Sequence, residues 1–200
     1  MIRRLFSKER EIKIGLYGPP NSGKTTLANR ICLDCLEEEL GPVSEIEHET
    51  RKVQSKEKIR MRHGSRTLEF TLVDTPGIAT KIDYRKFVKQ GLNRRKAKQR
   101  AKEATQGVIE AIKCLDDTDI ALLVVDSNKA PINQVNVTIL ENLSMRGVPT
   151  AIIANKTDLK TARIHRLRAA FPQTRVLGVS AKTGKNFDEL YETIEELMTE

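Results

Sequence analysis

The sequence predicts an α/β fold: a three-layer αβα sandwich around a six-stranded, mostly parallel sheet, with one antiparallel strand from a hairpin of the second and third strands. Strand-like and helix-like stretches alternate along the 200 residues, the pattern that helical crossovers leave in a chain. A glycine-rich turn, Gly18 to Gly23, joins the first strand to the first helix. Two β-like runs are separated only by His63-Gly64-Ser65, which is short enough for a hairpin and too short for a crossover.

In chain order, Ile12 to Tyr17 reads as a strand and Lys24 to about Glu38 as a helix. Gly41-Pro42 interrupts regular structure, and a polar segment runs to about Arg51. The hairpin strands span about Lys52 to Arg62 and Thr67 to Val73. Ala97, Ala101, Ala104, Val108, Ile112 and Leu115 recur at spacings of three and four, placing a helix over Asn93 to Leu115. Ile120 to Val125 is apolar throughout and reads as a buried strand. A helix from Pro131 to Met145, a strand Thr150 to Ala154, a helix near Ala162 to Ala170 and a strand Arg175 to Val179 follow. The last helix, Asn186 to Met198, has Leu190, Ile194 and Leu197 on its apolar face.

The length suits one domain, with residues 1–10 as an N-terminal extension and the last helix as its end. Hydrophobic residues make up 38% of the chain and aromatics 4%, so aliphatic side chains fill the core. No apolar run has the length of a membrane-spanning helix and no signal segment opens the sequence, so a cytoplasmic protein is expected. Cys32 and Cys35 form a C-x-x-C, which suggests a redox pair or half a zinc site. They fall among Leu27, Ala28, Ile31 and Leu36, without a second C-x-x-C, and read better as packed thiols on a helix face. The net charge of +8 is localised: ten basic residues and one acid lie between Lys81 and Lys102. The remainder carries 25 basic and 26 acidic residues.

Gly18-Pro19-Pro20-Asn21-Ser22-Gly23-Lys24-Thr25 is a G-x-x-x-x-G-K-T directly after a strand and opening a helix. Glycines let successive backbone N–H groups curl around phosphate oxygens, and the helix N-terminus adds partial positive charge. Lys24 reaches the β and γ phosphates, and Thr25, with Thr26 beside it, supplies a hydroxyl for Mg²⁺. Asp74-Thr75-Pro76-Gly77 follows a strand, so Asp74 can hold the magnesium through water and the Gly77 N–H can meet the γ-phosphate. Asn155-Lys156-Thr157-Asp158 follows another. There the Asp158 carboxylate can accept hydrogen bonds from the guanine ring N–H and amine, donors that adenine lacks. Lys156 would cover the base with its stem and Asn155 would tie the loop to its neighbours. Ser180-Ala181-Lys182 completes the base pocket, with the Ala181 N–H facing the guanine oxygen.

These ordered motifs resemble the GTPase superfamily of P-loop NTPases, over essentially the whole chain, and most closely its Era/TrmE/EngA-like branch. The resemblance implies a G domain that binds GTP and GDP with Mg²⁺ and hydrolyses GTP. It implies switch I over about 39–51, with Thr50 in Glu49-Thr50-Arg51-Lys52 as the switch threonine and a magnesium ligand. Switch II would span about 74–102, extended and basic. Lys24, Thr50, Gly77 and Asn21 are the expected catalytic set. Where Ras-like proteins place a water-orienting glutamine, this sequence has Ile78, so slow intrinsic turnover is expected. In Era- and TrmE-like enzymes an asparagine at the Asn21 position helps hold K⁺ against the phosphates, which implies potassium stimulation. A loop-shaping role for Asn21 is the alternative.

The basic 81–102 segment points to RNA, a ribosomal surface or an anionic membrane surface, with a solvated charged face as the bland alternative. Tyr84 and Phe87 are its only aromatics, so phosphate contact is expected rather than base stacking or DNA sequence recognition. Era-like proteins often carry an RNA-binding domain after the G domain; the chain is expected to end with the last G-domain helix, so RNA contact is expected from the G domain itself or from a partner chain. An RNA- or ribosome-associated GTPase is therefore expected. The alternatives are a signalling or membrane-associated switch activated by a partner protein, and a binding module that hydrolyses almost nothing. Nucleotide-dependent homodimerisation is implied by the resemblance alone.

Overall fold

The computed structural model describes residues 11–36, 40, 52–63, 66–79 and 82–199. Six strands, β1 (Ile12–Tyr17), β2 (Gln54–His63), β3 (Arg66–Asp74), β4 (Ile120–Asp126), β5 (Thr150–Asn155) and β6 (Arg175–Gly178), form one sheet in the order β2-β3-β1-β4-β5-β6. β2 runs antiparallel to β3 and every other pairing is parallel, as the sequence predicts. The helices are α1 (Lys24–Leu36), α2 (Tyr84–Lys89), α3 (Arg94–Cys114), α4 (Gln134–Met145), α5 (Ile164–Ala170) and α6 (Phe187–Thr199).

Strand alternation sorts the aliphatic residues into two cores, one on each face of the sheet. Ile14, Leu16, Leu122, Val124 and Ile153 face one way and pack with Leu27 and Ile31 of α1 and Leu190 and Ile194 of α6. Tyr17, Leu123, Val125 and Ile152 face the other way and meet Ala111 of α3, Ile139 and Leu143 of α4, and Leu167 of α5. β4 is buried on both faces, which explains its unbroken apolar run. Each such side chain contributes roughly 1.5–3 kcal/mol of transfer free energy.

Four elements differ from the sequence-based expectation. Helix α2, capped by Asp83 accepting from the Arg85 N–H, forms within what reads as a continuous basic connection. It turns back on α3, whose cap Asn93 accepts from the Lys96 N–H. Phe87, Ala97 and Ala104 make a third small core between them, with Ile82, Tyr84, Leu92 and Ala101 around it. On α3 the buried residue near the C-terminal end is Ala111, while Ile112 is 44% exposed, because the sheet-facing stripe is displaced by one position. Helix α4 starts at Gln134 rather than Pro131, because Asn133 caps it by accepting from the Asn136 N–H. Helix α5 starts at Ile164, since Ala162 and Arg163 donate their N–H groups to Leu159 and Ser127 carbonyls in the preceding loop.

Candidate nucleotide site

The parallel strands β1, β3, β4 and β5 bring their carboxyl ends to one edge of the sheet, where ligands of open α/β sheets bind. The loop after β1 carries the backbone expected to bind phosphate. Its curl requires Asn21 at φ 60° and Gly23 at φ 92°. A Cβ on Gly23 would also lie 2.2 Å from Asn155 Nδ2, so no larger residue fits.

Lys24 opens α1 and is buried. Its ammonium donates to the Gly18 and Pro19 carbonyls at 3.2 and 3.0 Å. Burial lowers its pKa to about 8, only partly offset by the Asp74 carboxylate. Burial likewise raises the pKa of Asp74, against the pull of Lys24 and of the Thr25 hydroxyl. The Thr25 hydroxyl donates to Asp74 Oδ2 at 2.6 Å, while Asp74 Oδ1 is buried with no hydrogen-bond partner. Two hard oxygen donors side by side, with an orphaned carboxylate oxygen, suit Mg²⁺, which takes few protein ligands and keeps the rest for phosphate and water. Thr50, the third expected ligand, lies outside the described residues, as do residues 41–51 of switch I and the extension 1–10.

The Asp74-Thr75-Pro76-Gly77 turn sits against the phosphate loop. Thr75 donates its hydroxyl to the Leu16 carbonyl at 2.6 Å, and the Ile78 N–H donates to Gly18 O at 3.1 Å. A Cβ on Gly77 would come within 2.7 Å of Pro20 Cα, so glycine is what permits this approach. The Ile78 side chain is 7% exposed and lies in the core with Tyr17, Ala111 and Leu115. Packed there, an apolar side chain offers no polar group with which to orient a water molecule.

Three side chains of the segment expected to read guanine are knitted to the rest of the site. Asn155 donates from Nδ2 to Ser22 O at 3.0 Å, and its Oδ1 accepts from the N–H groups of Lys156 and Ala181 at 2.7 and 3.0 Å. The Ala181 N–H, expected to face a guanine oxygen, is therefore engaged by Asn155 here, and a base would have to share it. Asp158 Oδ1 accepts the Ser180 hydroxyl at 2.7 Å, and Ser180 Oγ accepts from the Thr183 N–H. Lys182 is exposed.

Lys156, at φ 66°, donates to Asn21 O at 2.7 Å and to Asp126 Oδ2 at 2.9 Å. Asp126, which bonds Lys156, and Thr75, which bonds the Leu16 carbonyl, are candidate site residues to which motif reading assigns no role. The signal for Asp126 is an acid at the carboxyl end of an otherwise apolar strand. The C-x-x-C pair stays structural: Cys32 is buried and Cys35 packs against the same core, its pKa raised to about 11 by burial and the neighbouring Asp34 and Cys32. No group of three or more metal-ligating side chains occurs among the described residues. Among them, too, no helix is long and apolar enough to cross a membrane.

A model of the family described as "50S ribosome-binding GTPase" matches residues 13–156. GTPase Era of Geotalea daltonii is 28% identical over 94% of this chain and 55% of its own length. GTPase Der of a Marinomonas species is 27% identical over 94% of this chain and 38% of its own. The chain thus spans about half the length of the Era relative and less of Der. A crystal structure of Era in complex with MgGDPNP and nucleotides 1506–1542 of 16S ribosomal RNA superposes with a TM-score of 0.66 at 20% identity, covering 92% of this chain and 56% of that one. The loop after β1, the D-x-x-G turn and the start of the Asn155–Asp158 loop meet at one sheet edge, within the fold of these relatives and the residues 13–156 that the family model matches: this chain is an Era/EngA-like G domain and belongs to the 50S ribosome-binding GTPase family.

Proposed function

We propose that this G domain binds GTP with Mg²⁺, hydrolyses it to GDP and phosphate, and acts as a nucleotide-dependent switch on RNA or a ribosomal surface. The observation that carries the reading is the cross-bonding of the two loops: Asn155 to Ser22 and Lys156 to Asn21. One ligand long enough to touch both needs a base at one end and phosphates at the other.

Phosphoryl transfer to water depends on charge neutralisation and an oriented nucleophile. Mg²⁺, held by Thr25 and Asp74 with Thr50 as the proposed third ligand, would neutralise charge on the β and γ phosphates. Lys24 already lies along the loop, its ammonium on loop carbonyls from which phosphate oxygens can draw it. The Gly77 N–H is the proposed γ-phosphate contact. With Ile78 in the core, the position directly after the D-x-x-G turn does not orient the water, so intrinsic turnover is slow. Asn21, in the left-handed region at the loop's tip, is the proposed ligand for a K⁺ ion that supplies the missing positive charge. GTP turnover measured in KCl against NaCl at matched ionic strength tests this. Potassium stimulation that Asn21→Ala abolishes is expected; equal rates in the two salts would remove the ion from the mechanism.

The output surface is the α2–α3 hairpin. Arg85, Lys86, Lys89, Arg94, Arg95, Lys96, Lys98 and Lys102 are all exposed on it, and it follows the D-x-x-G turn directly. Arg100 is buried, so it belongs to the hairpin's interior rather than to its charged face. The solved Era complex with 16S ribosomal RNA favours RNA over lipid as the polyanion. Fluorescence anisotropy with a structured ribosomal RNA fragment, in GDPNP and in GDP across a salt series, checks it. Affinity should differ between nucleotides and fall steeply with salt. Arg94→Ala with Lys98→Ala should lower the log–log salt slope by about 0.7–0.9 for each phosphate that is no longer neutralised. Vesicle binding with no RNA binding would favour a membrane-associated switch instead.

A further inference from the structure

We infer that Asp126, at the end of β4, is a positioning residue for nucleotide retention: it holds the Lys156 ammonium against the Asn21 carbonyl and so fixes the lysine stem across the base site before a nucleotide arrives. This inference rests on the reading that a guanine nucleotide occupies the site.

The geometry divides the Asp126 carboxylate between two tasks. Oδ1 accepts from the backbone N–H and the side-chain amide of Asn128, at 3.0 and 2.9 Å. Oδ2 is left for Lys156 Nζ at 2.9 Å. The Asn128 side chain is anchored in turn by the Thr161 hydroxyl, which donates to its Oδ1 at 2.5 Å. The Ser127 N–H donates to the Asn155 carbonyl at 3.0 Å. The 126–128 turn is thereby locked to the guanine-reading segment on one side and aims a single oxygen at Lys156 on the other.

The Asp126 side chain is only 10% exposed. Burial alone would raise its pKa, but hydrogen bonds from Lys156 and Asn128 outweigh it and hold the carboxyl below the usual range. A buried carboxylate that served only to close a turn would carry its desolvation cost for little return; pairing with Lys156 gives it a charged partner. What the pair supplies is pre-organisation. A free lysine side chain has about 2 kcal/mol of rotamer entropy to lose when it is ordered. Here it is ordered between a carboxylate and a loop carbonyl, so a ligand packing beneath its stem is spared that cost. Lys156 also bridges β4 to the phosphate loop, so the Asp126 charge bears on both ends of a bound nucleotide.

Release of mant-GDP in the presence of Mg²⁺, from the wild type, Asp126→Asn, Lys156→Met and the double variant, tests the assignment. Asp126→Asn should speed release about tenfold, the effect of one hydrogen bond to a charged group. Lys156→Met should speed it at least as much, and adding Asp126→Asn to Lys156→Met should change nothing further. Asp126→Glu, which keeps the charge, should recover most of the wild-type retention. A purely structural role would instead lower the melting temperature of the nucleotide-free protein and speed release equally in both backgrounds. That result, or wild-type release from Asp126→Asn, would overturn the inference alone. A wild type that retains no mant-GDP would overturn the nucleotide reading and the inference with it. If Asp126→Asn does not fold, Asn128→Ala loosens the same carboxylate, and its smaller acceleration should likewise vanish beside Lys156→Met. An acceleration that survives beside Lys156→Met would overturn the inference.

Discussion

Asp158 is the proposed base reader of this site, and the Ser180 hydroxyl fixes the plane of its carboxylate at 2.7 Å. An ionised carboxylate only accepts, which matches the two adjacent donors on guanine. Asp158→Asn replaces one acceptor oxygen with a donor. It should lower GDP affinity by about a hundredfold or more, since hydrogen bonds to charged groups contribute about 1.5–3 kcal/mol each. It should raise affinity for the xanthine nucleotide, which presents a carbonyl where guanine has its amine. Competition of GDP and XDP against mant-GDP measures both, and an Asn variant that still prefers GDP would rule out Asp158 as the base reader. Asp158 could be named as a candidate from sequence because its motif is local, directly after a strand. Asp126 could not, because its partner Lys156 is 30 residues away and a lone acid at a strand end has no spacing to recognise. Ile78 was legible as a missing glutamine, yet only packing places its side chain in the core beside Tyr17.

The hairpin of α2 and α3 has its own apolar cluster, separate from the two cores that flank the sheet. An element held by a satellite cluster can open without unfolding the domain. Phe87 is its largest buried side chain and is 2% exposed. Phe87→Ala typically removes about 3–5 kcal/mol in a core. Here the loss should appear mainly as local opening: amide exchange across α2 and the first turns of α3 should accelerate by about a hundredfold or more. The melting temperature should fall less than for Leu122→Ala in β4. A Phe87→Ala protein that melts as early as Leu122→Ala, with unchanged relative protection along the hairpin, would show that the hairpin is integral to the fold. The long helix α3 was legible because its apolar residues keep a period over many turns. The six-residue α2 was not, since it is too short for periodicity and half of its positions are charged. The N-caps Asp83 of α2 and Asn93 of α3 are the sequence signals that could have revealed the break between the two helices.

Hydrogen bonds from β1, the phosphate loop, the D-x-x-G turn, the end of β4 and the end of β5 all converge on one edge of the sheet. A nucleotide there would touch segments far apart in sequence, none of which forms the site alone. The unfolded chain therefore offers it no binding site, and binding should stabilise the native state by mass action. At a ligand concentration a hundred times Kd the gain is about 2.7 kcal/mol. For a chain of this size, 1 kcal/mol corresponds to about 2–4 °C, so the melting temperature should rise by roughly 5–10 °C. GDP and ADP carry the same phosphates and would recruit Lys24, Thr25 and the loop amides equally. They differ only at the base, where adenine presents neither donor to Asp158 and leaves that charge unmatched. Thermal unfolding with Mg²⁺ and either nucleotide at equal concentration therefore separates the two ends of the site. A large shift with GDP and little or none with ADP is expected. Equal shifts would mean that the phosphate loop alone provides the affinity and that the Asn155–Asp158 segment does not read guanine.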